Sequence, residues 1–117
     1  MVSLGKSTRT HALVLDSGVF AVTILSSLQK DISDRFAGRT KGVTDRFVGV
    51  DTFALETSSP LIQGGLAYFD CRVTATHDAG THTVLIGEVV AVGEGEGGEP
   101  LVYFDRGYRE IKSSESW

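Results

Sequence analysis

The spacing of apolar and polar positions changes character along the chain. From Ser7 to Ser17 the pattern reads as a short helix, with Ser7 or Thr8 as N-cap and Gly18 where a helix C-terminus commonly ends. Val19 to Leu25 is apolar and β-branched, which predicts a buried strand. A second helix is expected over about 27–37. Ser26 and Gln29 have capping-box spacing there, Leu28, Ile32 and Phe36 form one apolar stripe, and Gly38 ends it. Those three side chains are expected to be buried together. Arg39 to Asp45 reads as a polar loop. Ahead of all this, Val2-Ser3-Leu4 looks like the end of a strand.

From Phe53 onward the period is that of strands. Ser58-Ser59-Pro60 and Gly64-Gly65 are turn signals. Between Leu66 and His77 the odd positions Ala67, Phe69, Cys71, Val73 and Ala75 are apolar, and the even positions Asp70, Arg72, Thr74 and Thr76 are polar. That alternation predicts a half-buried strand with Phe69, Cys71 and Val73 inward. Asp78 to Thr81 makes a tight connection. His82 to Val92 is apolar on both faces, as for a barrel wall covered by a helix or by a partner subunit. Glu94 to Glu99 reads as an exposed acidic hairpin end, Leu101 to Phe104 as a last strand and Ser113 to Trp117 as a frayed tail. The count is about five strands, few for closing a barrel.

At 117 residues the chain fits one domain, expected to span 1–117, and 41% apolar with 22% charged residues is ordinary for a globular protein. No apolar run reaches the ~20 residues of a membrane span. The net charge of −4 argues against a nucleic-acid surface, which relies on Lys and Arg. Charge is unevenly spread: residues 1–50 hold seven Lys/Arg against four Asp/Glu, and residues 51–117 hold four against eleven. A phosphate-bearing ligand is therefore expected on the first half. Cys71 is the single cysteine, so no internal disulfide is possible. Its apolar neighbours mark it as a packing residue, in keeping with a cytoplasmic protein.

Two clusters carry candidate chemistry. Lys6-Ser7-Thr8-Arg9-Thr10 places two cations and three hydroxyls at a helix start, where free N–H groups and the helix dipole favour anions. A simple solvated cap is the competing reading. Asp78-Ala79-Gly80-Thr81-His82 presents a histidine at a strand end, against the plainer reading of a turn. His77 and His82 are expected to face each other across that turn, but no third ligand is in evidence and no metal is expected. Phosphate loops, nucleophile elbows and zinc-spaced Cys/His sets are absent from the sequence.

Taken in order, these stretches resemble the flavin reductase domain family, the small reductase components of two-component flavin monooxygenases. The resemblance runs from Val2 to about Lys112. It rests on Ser7-Thr8-Arg9-Thr10-His11-Ala12-Leu13, Phe20-Ala21-Val22, Ser33-Asp34-Arg35-Phe36-Ala37-Gly38 and Asp45-Arg46-Phe47-Val48-Gly49-Val50. It rests also on Pro60-Leu61-Ile62, Cys71-Arg72-Val73, His77 to Thr83 leading into Gly87-Glu88-Val89, Tyr103-Phe104 and Gly107-Tyr108-Arg109.

The resemblance implies a mostly β split barrel with short helices, a homodimer, and FMN or FAD reduced by NADH or NADPH. Reduced flavin would pass to a flavin-dependent monooxygenase. Cofactor binding would fall to Lys6, Ser7, Arg9 and Thr10 on the phosphate side, with Tyr108 and His82. The catalytic position, beside the nicotinamide, carries over to His82. Thr81 stands where the family commonly has Asp, which removes a carboxylate beside that histidine. Met1 falls inside the family pattern, so the barrel is expected to be incomplete at the N-terminus, lacking the family's first strands. The alternative is a catalytically inactive flavin-binding or dimerising split-barrel remnant. Nothing in the sequence favours a haem-binding relative, because no histidine has the setting of an axial ligand.

Overall fold

In the first helix the Thr8 side chain accepts from the His11 backbone N–H, and Gly18 closes the other end in the left-handed conformation at φ 72°. This cap and stop define α1, Arg9–Ser17, in a computed structural model that describes residues 1–42 and 44–112. The strand before it is β1, Val2–Gly5, and the strand after it is β2, Val19–Ile24. Two long strands, β5 (Ala67–Ala79) and β6 (His82–Glu94), complete an antiparallel sheet of order β1-β6-β5-β2. Between these lie α2 (Lys30–Phe36), β3 (Thr52–Phe53) and β4 (Leu61–Ile62). The chain continues into β7 (Val102–Phe104) and β8 (Gly107–Arg109), which brings the strands among the described residues to eight against the five or so expected. The expected tail, Ser113 to Trp117, lies outside the described residues.

Each sheet face is buried at a different end. On one face Tyr68 and Asp70 are buried against the β3–β4 ribbon, with Leu61 fully enclosed. Phe53 meets Tyr68 edge to face at 4.8 Å, and the Ile62 N–H donates to Thr23 Oγ1. On the opposite face α1 covers the hairpin end: Val14, Thr83 and Leu85 are buried, and His11 bonds Thr83. The cross-strand pairs Val22–Phe69, Phe69–Val92 and Cys71–Val89 share this second face beyond the reach of α1. There Val89 and Val92 are 50% and 67% exposed.

Several expectations are corrected. Residues Phe69, Cys71 and Val73 do alternate to one face, but only Cys71 is buried, and Phe69 is 36% exposed. The even, polar position Asp70 is instead fully buried, because the 56–59 segment folds over it and supplies donors. β2 is half-buried, since it is the edge strand of its sheet. α2 starts at Lys30, later than expected, Leu28 is 90% exposed outside it, and Ile32 and Phe36 are only half-buried, so the expected buried stripe does not form. Ser26 and Gln29 do bond, through the Ser26 N–H and Gln29 Oε1, but this closes the turn ahead of the helix. His77 and His82 are not opposite each other: the register pairs His77 with Val84 and His82 with Ala79. The acidic stretch is no hairpin end. It runs from β6 to β7, held by Gly95 N–H to the Leu66 carbonyl and by Ser27 N–H to the Glu99 carbonyl.

Candidate functional site

The two clusters singled out by sequence lie in one place. In the β1–β6 ladder Gly5 is opposite His82 and Leu4 is opposite Thr83. One residue on, the Lys6 N–H donates to the Thr81 carbonyl at 2.9 Å. The Lys6 ammonium reaches Asp78 Oδ1 at 2.6 Å. Its hydrogen bond is the main reason the Asp78 carboxyl is held below its ordinary value, with the Gly80 N–H helping. The β5–β6 turn itself is two residues long, and Gly80 supplies the positive φ of 79° that such a turn needs.

Above this junction stands the start of α1. Ser7, Arg9 and Thr10 are exposed, and no acidic residue occupies the first turn. That donor set fits a phosphate: two cations, hydroxyls and unpaired helix N–H groups, with no carboxylate in the first turn to repel it. Thr8 is spent on the cap and donates its hydroxyl to the Gly5 carbonyl at 2.7 Å. His82 is exposed, and its Nδ1 lies 2.9 Å from Thr81 Oγ1. A neutral hydroxyl thus contacts the ring, leaving Nε2 on the far side for a ligand.

Tyr108 keeps other company. Its hydroxyl donates to Asp34 Oδ1 at 2.6 Å, and Arg39 bonds both groups while lying 4.4 Å over the Tyr103 ring. The Tyr108 bond first, and then Arg39, hold the Asp34 carboxyl below its ordinary value. These contacts fasten the β7–β8 hairpin to α2, and none of them reaches α1 or the β5–β6 turn. The sequence reading missed His11, whose Nε2 lies 2.8 Å from Thr83 Oγ1. Only its place at the third helical position, one turn after Lys6-Ser7-Thr8, hinted that it lies near the site.

A groove of about 720 Å³ lies elsewhere, lined by Ser26 to Leu28, Gly64, Tyr68 and the 94–99 segment. Among the described residues no three His, Cys, Asp or Glu side chains converge as metal ligands. Among them, too, no helix is long and apolar enough to cross a membrane. Cys71 is buried, and that burial pushes its thiol up from its ordinary value.

Comparison with known proteins gives a consistent picture. The family model described as a flavin reductase like domain matches residues 1–112. An FMN reductase (NADH), RutF 2, of Rhizobium rhizogenes is 40% identical over 111 residues, covering 95% of this chain and 64% of that protein. HsaB of Mycobacterium tuberculosis, the reductase subunit of a flavin-dependent monooxygenase, is 35% identical over 95% of this chain and 59% of its own length. The chain therefore spans somewhat under two thirds of these relatives. Among solved structures, the flavin reductase PheA2 superposes with a TM-score of 0.85 at 33% identity, over 96% of this chain and 69% of that one. The mostly β, split-barrel fold expected from the sequence is the fold of these neighbours.

Proposed function

This chain belongs to the flavin reductase like domain family, and from that premise we propose that it is an NADH- or NADPH-dependent flavin reductase acting as a single domain. The observation that carries the proposal is the Gly5–His82 pair, which sets the anion-binding start of α1 and the exposed histidine side by side. When bound, the nicotinamide supplies a hydride that FMN or FAD accepts together with a solvent proton.

The chain's own residues bind and orient. Lys6, Ser7, Arg9 and Thr10 hold the flavin's phosphate, where charge-assisted contacts are the strong ones. His82 orients the nicotinamide, its ring set by Thr81. No proton relay among side chains is required for the transfer, so the site's task is to bind and orient. Tyr108 contributes indirectly, by fixing the C-terminal hairpin against α2.

A homodimer completes this reading. The apolar strip Ile24, Phe69, Val89 and Val92 is left open by α1 and suits a second copy of the same chain. The name of the HsaB relative supports delivery of reduced flavin to a flavin-dependent monooxygenase. We place the reaction in the cytoplasm, where the lone thiol of Cys71 stays reduced.

The test is direct. NADH and FMN are mixed without oxygen, with and without the protein, and bleaching of the flavin is followed. Bleaching in proportion to protein is expected. A rate indifferent to the protein, with NADH and with NADPH, contradicts the proposal.

A further inference from the structure

The start of α1 is joined to the sheet at few points. The connection from β1 is three residues long, Lys6 to Thr8, and it is held by the Thr81 carbonyl and by the Thr8 cap. Among the described residues, one side-chain hydrogen bond ties the first turn of α1 to β6: His11 Nε2 to Thr83 Oγ1, at 2.8 Å. Thr83 is buried, and it is the residue directly after His82 on the same strand. His11 is half-buried, and its backbone N–H completes the Thr8 cap.

We propose that His11 is a positioning residue, whose bond to Thr83 fixes the distance between the phosphate-binding start of α1 and His82. The inference rests on the functional reading above, since it assigns the phosphate to this helix start. Its physical basis is leverage. Arg9 and Thr10 immediately precede His11, and His82 immediately precedes Thr83, so the bond links the two binding groups through one or two residues on each side. Without it the hydrogen bonds among the described residues that tie the first turn to the sheet are those of the Lys6–Thr8 connection alone, Lys6 N–H to the Thr81 carbonyl and the Thr8 hydroxyl to the Gly5 carbonyl. Holding the start of α1 in place lowers the ordering cost of binding the flavin's phosphate, and a set spacing to His82 keeps the flavin and the nicotinamide in register for the transfer between them.

A purely structural bond would alter stability without altering ligand discrimination. The readout is therefore the ratio of FMN to riboflavin affinity, two flavins that differ in the phosphate. It is measured with thermal stability for the wild type, His11→Ala, His11→Gln, Thr83→Val and the His11→Ala/Thr83→Val double variant. His11→Ala and Thr83→Val are each expected to weaken FMN roughly three- to tenfold, with riboflavin little changed. The double variant should match the singles, because both remove the same bond. Gln, whose amide reaches a similar distance, should restore most of the FMN affinity. An unchanged ratio in His11→Ala, or losses that simply add, overturns the assignment. A wild-type protein with no preference for FMN over riboflavin overturns the phosphate reading beneath it, and that failure shows before any variant is made.

Discussion

Gly5 faces His82 across the β1–β6 ladder, and this pair sets the start of α1 beside the tip of the β5–β6 hairpin. Lys6, the next residue, is shared between the prospective phosphate and Asp78. Asp78→Asn should therefore free the ammonium and tighten FMN, within about fivefold because the pair is exposed. Arg9→Ala should weaken FMN and leave riboflavin nearly untouched. Fluorescence titration with the two flavins checks both. Weaker FMN binding in Asp78→Asn contradicts the shared-cation account.

Asp70 supports a second prediction. Its buried carboxylate accepts from the backbone N–H groups of Glu56 and Thr57 and from the Thr57 hydroxyl. Burial alone would raise its pKa, but these hydrogen bonds outweigh it and hold the group below its ordinary value. Asp70→Asn turns donors toward donors and should cost on the order of 3 kcal/mol. Because the folded pKa is depressed, the contribution is present above the ordinary carboxylate range and is lost as pH falls through the lowered value. Urea unfolding at neutral and acid pH should thus show the variant and wild type converging in acid. A constant gap contradicts this.

The exposed strip predicts self-association. Val92→Asp puts a charge into the proposed interface between copies, opposite Phe69 on the face that α1 leaves open. Sedimentation should show a dimer for the wild type and a weaker or absent one for the variant. A wild-type monomer at micromolar concentration counts against the dimer.

How much of this was legible in the sequence differs by residue. The Thr8 cap and Gly18 stop were readable because both signals are local. Cys71 was read correctly as a buried packing residue. Leu28 was misplaced because periodicity records which residues share a helix face, not where the helix begins, and the Ser26–Gln29 bond closes a turn first. Asp70 was misread because its partners, Glu56 and Thr57, lie more than ten residues away. Leu28→Ser should accordingly cost no more than about 0.5 kcal/mol. The two site clusters were found separately, while their meeting depends on the β1–β6 register, which no local pattern encodes. His11 escaped because its partner Thr83 lies 72 residues along the chain.

The central claim is that the exposed histidine at the hairpin end orients the nicotinamide. His82 and His77 lie on the same hairpin, but only His82 is opposite Gly5, beside the start of α1. The decisive measurement is the steady-state rate of flavin reduction against NADH concentration for His82→Ala and His77→Ala. The account predicts a roughly tenfold fall in kcat/KM for NADH with His82→Ala, flavin affinity being kept, and near wild-type behaviour with His77→Ala. Equal effects from the two substitutions, or none from either, contradict it.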